Sequence, residues 1–149
     1  MILLVHMIFG AALGYAAGNI YLAIIVAFLS HYFLDLFPHI EYNIKSAHEN
    51  PWRKKLPAIK KITVDLFLGL LLIWIFSKNQ PIIYLYAFFA IVPDGLTVLG
   101  KLMPNKILRI HTYIHTEKVH FLKHKKISTF WRLLSQILTV IISIILLRL

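Results

Sequence analysis

Five long apolar stretches, separated by short polar segments, constrain this chain more than any other feature. With 59% hydrophobic and only 15% charged residues, its 149 residues are more apolar than a water-soluble domain of this size requires. The pattern predicts an all-α fold, a single integral membrane domain over residues 1–149 with about five transmembrane helices. The stretches occupy residues 2–17, 20–37, 62–77, 81–99 and 133–147.

The first stretch ends in small residues, as a signal peptide does. It lacks the basic segment that precedes the apolar part of such peptides, so we expect it to remain as a helix. Gly18-Asn19 and Asn79-Gln80-Pro81 consist of turn-forming residues. They predict tight hairpins that join the first helix to the second and the third to the fourth.

The basic residues give the bundle an orientation. Two connections, residues 38–61 and 100–126, contain 13 of the 16 Lys and Arg residues. Basic loops are typical of the cytoplasmic side, so we expect both connections to be cytoplasmic and to contact membrane lipid, with the chain in the cell inner membrane. This bias also accounts for the net charge of +10 without a nucleic-acid partner.

Ionisable residues within apolar stretches require an explanation, because a charge at the centre of a membrane helix costs at least ~2.5 kcal/mol. The predicted topology puts five ionisable residues near the cytoplasmic ends of helices, namely His6, His31, Asp35, Asp65 and Asp94, and puts His39, His111 and His115 in the cytoplasmic connections that follow. Small residues lie four positions from several of them, which indicates the helix faces that pack together inside the bundle. We therefore expect a cluster of His6, His31, Asp35, His39, Asp65, Asp94, His111 and His115.

Such a cluster suits a divalent metal ion. The chain has no cysteine, and imidazole and carboxylate ligands without thiolate favour zinc, with manganese or iron as alternatives. We expect one to three ions bound by these eight residues. The alternative is that His and Asp bond to each other and hold the helices together, which for His31 and Asp35 competes equally with metal binding. The remaining histidines lie among Lys and Pro and are expected at the interface: His48, His120 and His124.

One segment carries a family resemblance. Ser30-His31-Tyr-Phe-Leu-Asp35-Leu-Phe-Pro38-His39, together with His6, Pro93-Asp94 and His111-Thr-Tyr-Ile-His115, resembles the small predicted membrane-bound metal-dependent hydrolases. That family is distantly similar to zinc-dependent phospholipase C and the S1/P1 nucleases. The resemblance implies that His31 and Asp35 are the leading metal ligands, followed by His39.

The resemblance and the metal ligands together predict a hydrolase. It would cleave a phosphoester of a lipid or lipid-linked phosphate at the cytoplasmic face, using a metal-activated water. Asp35 or Asp65 would act as the general base, and the basic connections would attract the anionic substrate. Two alternatives remain open, namely a metal or proton carrier and a structural or adaptor membrane protein.

Overall fold

The computed structural model describes residues 2–40, 52–78, 80–103 and 105–149. This part of the chain is helical and contains no strand, which confirms the all-α prediction. Its α-helices are α1 (Leu3–Ala16), α2 (Ile20–Asp35), α3 (Trp52–Phe76), α4 (Ile82–Leu102), α5 (Lys106–Tyr113) and α6 (Thr129–Arg148). A π-helix (Ile114–Val119) and a short 3₁₀ helix (Phe121–His124) follow α5 directly.

The five predicted apolar stretches coincide with α1, α2, α3, α4 and α6. The structure adds α5, the π-helix and the 3₁₀ helix within the predicted connection 100–126. It also begins α3 at Trp52, ten residues before the apolar stretch, because lysine and arginine are good helix formers although they are charged.

The helix α1 lies at the centre of the bundle. It packs against α2, α3, α4 and α6. Small residues on α1 allow the neighbouring helices to approach closely: a Cβ added to Gly14 would come within 2.6 Å of the Tyr86 ring. The main core combines α1, α3, α4 and α6 through Met7, Ile8, Ala11, Ala12, Ile73, Ile83, Ala87 and Leu147.

The hairpin between α1 and α2 forms as predicted. Gly18 adopts a left-handed conformation (φ +67°), which costs a glycine little, and this ends α1. The side chain of Asn19 then accepts hydrogen bonds from the backbone N–H groups of Tyr21 and Leu22, at 3.0 and 3.2 Å, and so caps α2. In the second predicted hairpin, residue 79 lies outside the described residues.

Among the described residues, two helices are long and apolar enough to cross a membrane, the Ile82–Gly100 part of α4 and the whole of α6. Only 33% of the first window and 17% of the second are buried within the protein. By length and composition, the structure therefore supports two of the five predicted spans. The helices α1 and α2 have 14 and 16 residues, which is short for a span of ~20 residues. The helix α3 is long but carries Lys60, Lys61 and Asp65.

Candidate metal centre

The carboxylate of Asp35, at the end of α2, is the centre of a buried cluster of imidazoles. Three Nε2 atoms lie 3.1 Å from its Oδ2, and a further two lie near its Oδ1, at 3.2 and 3.7 Å. Asp35 itself is 1% exposed. The Oδ2 neighbours are His31, His115 and His120, and the Oδ1 neighbours are His6 and His39.

His31 and Asp35 share one face of α2 because they are four residues apart. The ring of His31 is held from its other side by α4, where Nδ1 lies 2.7 Å from the carbonyl oxygen of Ala90. A carbonyl can only accept, so Nδ1 carries the proton and donates it. In the neutral ring, the Nε2 lone pair of His31 then points towards Asp35.

His115 is held in the same way by Thr97 of α4. The Thr97 hydroxyl donates to the carbonyl oxygen of Pro93 at 3.1 Å, so its oxygen accepts the Nδ1–H of His115 at 2.8 Å. The Nε2 lone pair of a neutral His115 therefore faces the cluster. Hydrogen bonds of this kind, from the outer ring nitrogen to an oxygen, orient histidine ligands in metal sites.

The π-helix brings His120 to the same carboxylate oxygen. His115 and His120 are five residues apart, and the backbone N–H of His120 bonds to the carbonyl of His115 at 3.3 Å, the i→i+5 bond that defines a π-helix. Both imidazoles therefore project from one side of the chain. In a regular α-helix, residues five apart point in different directions.

His39 reaches the cluster from the segment that follows α2. Its Nδ1 donates to the carbonyl oxygen of Phe37 at 2.7 Å, which directs Nε2 towards Asp35. Two neighbouring polar residues of α6 hold this segment. The Ser135 hydroxyl donates to the carbonyl of Pro38, and the Gln136 amide donates to the carbonyl of Ile40.

His6 of α1 is fully buried and its ring stacks on that of His31, with centroids 3.9 Å apart. Within the described part of the chain, neither of its ring nitrogens makes a hydrogen bond, although Nε2 lies 3.2 Å from Oδ1 of Asp35. A buried imidazole without a hydrogen-bond partner is costly in a protein interior. A bound cation on Nε2 would satisfy that nitrogen.

Asp94 forms the open edge of the cluster. Its Oδ1 lies 3.6 Å from Nε2 of His31, and its side chain is 40% exposed. The described residues contain three groups whose ligand atoms lie close enough together to hold a metal ion. These are His6–His31–Asp94, His31–Asp35–His115 and Asp35–His39–His120.

The structure thus brings together six of the eight predicted positions and gives Asp65 and His111 other partners. The carboxylate of Asp65 accepts a hydrogen bond from the backbone N–H of Leu4 at 2.8 Å, near the start of α1. The positive end of the helix dipole lies there and stabilises a negative charge. His111 contacts Tyr32 instead, with its Nε2 2.9 Å from the Tyr32 hydroxyl. Burial and the neighbouring His115 lower the pKa of His111. Neither residue belongs to one of the three groups, so metal ligation by Asp65 and His111 stays a prediction from the sequence alone, and the His111→Ala variant tests it for His111. A general-base role for Asp35 or Asp65 also stays a prediction.

The sequence predicted an interfacial side chain for His120, whereas in the structure its Nε2 lies 3.1 Å from Oδ2 of Asp35. Residues five apart do not share a face of an α-helix, so the spacing of His115 and His120 did not predict that they meet. The π-helix puts both side chains on one side. Of the other two expected interfacial histidines, His48 lies outside the described residues, as does the side chain of His124.

Comparison of the chain with protein-family models, curated proteins and solved structures gave no match.

Proposed function

We propose that this protein is a membrane-embedded, metal-dependent hydrolase that cleaves a phosphoester. The observation that carries the proposal is a triangle of three ligand atoms, Nε2 of His31, Nε2 of His115 and Oδ2 of Asp35. All three edges measure 3.1 Å. Ligand atoms around a tetrahedral zinc ion are ~3.3 Å apart for metal–ligand distances of 2.0–2.1 Å, so the triangle has the size of one face of such a site.

The hydrogen bonds argue against a cluster that serves only to hold helices together. Five imidazoles surround a carboxylate that offers about four lone-pair positions. His31, His39 and His115 already donate from Nδ1, so each could donate from Nε2 only as a charged imidazolium. Several imidazoliums in a buried site with two carboxylates would be costly. A divalent cation accepts the lone pairs of neutral rings and removes this cost.

The surface of the bundle supports the membrane part of the proposal. The outer face of α6 exposes a continuous set of large apolar side chains, which soluble proteins rarely do. Each of these residues is about half exposed: Ile137, Leu138, Ile141, Ile142 and Ile145. Large apolar side chains are also exposed on α2 (Ile25, Leu29 and Phe33) and on α3 (Phe67, Leu71 and Trp74).

The chemistry follows from the position of the cluster. Divalent ions bound there would lower the pKa of a bound water towards ~7 and polarise a phosphoryl oxygen. Lys60 and Lys61 lie on α3 within about one turn of Asp65, which contacts the start of α1 near His6. Charges of this kind attract anionic head groups. A phosphoester of a membrane lipid or a lipid-linked phosphate would combine the apolar surroundings with the anionic group.

The test is elemental analysis of protein purified in detergent, followed by a phosphoester screen in the presence of Zn²⁺, Mn²⁺ or Fe²⁺. We expect bound metal and metal-dependent release of phosphate or alcohol from at least one phosphodiester or phosphomonoester. His31→Ala and Asp35→Ala should abolish both. His111→Ala serves as the matched control, because it removes an imidazole of the same region that belongs to none of the three groups.

The outcomes separate the alternatives. A metal-free protein whose thermal stability is unchanged by chelator would replace the proposal with the structural role. A metal-loaded protein that cleaves no phosphoester but carries ions into proteoliposomes would be a carrier. The carrier is less favoured by the structure because the ionisable groups gather around one carboxylate rather than following a path along the helices.

A further inference from the structure

The inner face of α5 packs against the end of a candidate membrane span, the Ile82–Gly100 part of α4. A Cβ added to Gly100 would come within 2.6 Å of the Thr112 hydroxyl oxygen and 3.1 Å of the carbonyl oxygen of Leu108. The helix α5 therefore lies at the depth at which that span ends. In a membrane this is the level of the head groups, just outside the hydrocarbon.

The outer face of α5 is apolar along one stripe and basic along the next, because side chains three or four positions apart share one side of a helix. The apolar stripe is exposed and consists of Ile107, Ile110 and Ile114. The basic stripe beside it is exposed as well and consists of Lys106, Arg109 and Tyr113. Nζ of Lys118 lies 5.9 Å from the centroid of the Tyr113 ring and adds a third cation to this side. Helices that lie in a membrane interface combine an apolar stripe with a basic one in this way.

The length of α5 decides between crossing a membrane and lying along its surface. Its eight residues extend about 12 Å, whereas the hydrocarbon is about 30 Å thick. The helix starts anew after α4, because the Asn105 side chain accepts a hydrogen bond from the backbone N–H of Ile107 at 2.8 Å and caps it. Leu102 and Met103, just before this cap, are also exposed. An apolar surface at this position therefore suits the interface and not a span.

We propose that α5 is an interfacial helix that binds an anionic phospholipid surface. Its apolar stripe enters the boundary between head groups and acyl chains, and its basic stripe contacts the lipid phosphates together with Lys118. The π-helix continues α5 directly, so the lipid-facing Ile114 precedes His115, whose Nε2 lies 3.1 Å from Oδ2 of Asp35. The lipid contact thus holds the cluster at the level of the head groups. This inference rests on the membrane part of the proposed function but not on metal binding or hydrolysis.

The depth of the apolar stripe can be measured with spin labels, because the chain has no cysteine of its own. Full-length Ile107→Cys, Ile110→Cys and Arg109→Cys are each labelled and reconstituted into phospholipid vesicles. Collisions of the label with oxygen, which enters lipid, are compared with collisions with a water-soluble nickel chelate present on both sides of the membrane. We expect the labels at Ile107 and Ile110 about 5–10 Å inside the head-group boundary and the label at Arg109 at that boundary. Ile141→Cys on α6 is the control for a label in lipid.

The preference for anionic lipid can be measured with spin-labelled phosphatidylglycerol and phosphatidylcholine, by the fraction of each whose motion the protein restricts. We expect the wild type to prefer phosphatidylglycerol by about twofold or more, and less at high salt. The triple variant Lys106→Gln/Arg109→Gln/Lys118→Gln should lose roughly half of this preference. The matched control is Lys78→Gln/Arg148→Gln, which neutralises cations at the far ends of α3 and α6 and should keep the preference.

The outcomes separate this inference from the proposed function. A label at Ile110 that meets the nickel chelate as in water, while the label at Ile141 stays in lipid, would overturn the inference and leave the proposed function in place. Water access at both positions would overturn the membrane part of the proposed function as well. Magnetic broadening between labels at Ile110 on different molecules would show that a second copy covers the stripe, and an unchanged lipid preference in the triple variant would rule out anionic lipid as the partner. Circular dichroism identifies any variant that fails to fold, and Ile114→Cys then replaces it.

Discussion

Gly10 of α1 lies directly against Ala90 of α4, so closely that a Cβ added to Gly10 would overlap the Cβ of Ala90. The carbonyl oxygen of the same Ala90 accepts the Nδ1–H of His31. The contact between the two helices and the orientation of a candidate ligand therefore depend on the same residue. Close packing through small residues is common between membrane helices, and here it also sets the geometry of the cluster.

Gly10→Ala should weaken metal binding although residue 10 is not a ligand. The added methyl group must push α4 away from α1, which moves the Ala90 carbonyl and Asp94. Overpacking of this kind costs about 1–3 kcal/mol of stability, and loss of the bond that orients a histidine ligand lowers metal affinity by roughly 10–100-fold. Zinc affinity can be measured by competition with a chromogenic chelator. Unchanged affinity in a folded Gly10→Ala variant would show that this contact does not set the site.

Thr97→Val tests the orientation of His115. Valine keeps the shape of threonine but cannot accept the Nδ1–H of His115, so the ring loses its fixed tautomer and metal affinity should fall by roughly 10–100-fold. Thr97→Ser keeps the hydroxyl and should stay close to the wild type. The same competition assay compares the three proteins. Equal weakening by serine and valine would mean that packing rather than the hydrogen bond matters at this position.

The sequence predicted most of the helices and much of the cluster because both follow short-range rules. His31 and Asp35 are four residues apart, so an α-helix puts them on one face. Gly18-Asn19 consists of turn-forming residues between two apolar stretches, a pattern that predicts a turn. The apolar stretches mark helices whether or not they cross a membrane. The prediction of five spans is not confirmed, because α1 and α2 have fewer residues than a membrane span requires.

Other features depend on contacts between distant residues, which no local pattern contains. The carboxylate of Asp65 could ligate a metal by its chemistry, but it lies beside the start of α1 and accepts a hydrogen bond from a backbone N–H there. The role of Gln136 and Ser135 in holding the segment before and after His39 appears only when α6 packs beside it. A π-helix likewise forms in response to its surroundings, so the place of His120 could not be read from spacing.

His120→Ala should therefore affect metal binding as strongly as His115→Ala does. Each variant removes one of the three imidazoles 3.1 Å from Oδ2 of Asp35, and each should lower zinc retention during dialysis at least tenfold. His111→Ala should retain its zinc, because His111 bonds to Tyr32 and belongs to none of the metal groups. If His111→Ala lost zinc while His120→Ala kept it, the π-helix would not present its histidines as the structure has them.

Acid should release the metal. Imidazole binds a metal only when neutral, and the ordinary pKa of histidine is ~6.5, so protons compete with the metal increasingly below that pH. Zinc should be retained above about pH 7 and lost as the pH falls towards 5, with retention recovering when the pH is raised in the presence of zinc. Elemental analysis after desalting at each pH gives the profile. Release on raising the pH instead would contradict binding by neutral imidazoles.

Ile141→Arg tests whether the exposed face of α6 meets lipid. Ile141 is 47% exposed and lies near the middle of a helix long enough to cross a membrane. An arginine at the centre of a membrane helix costs about 2.5–3.5 kcal/mol on insertion, whereas on a water-exposed surface it would be harmless or would improve solubility. We expect wild type and the matched Ile141→Leu variant to stay in the membrane pellet after an alkaline carbonate wash, and Ile141→Arg to be depleted from it. Wild type that appears in the detergent-free supernatant, with Ile141→Arg equally abundant there, would show that α6 faces water, and the apolar surface would then need a protein partner to cover it.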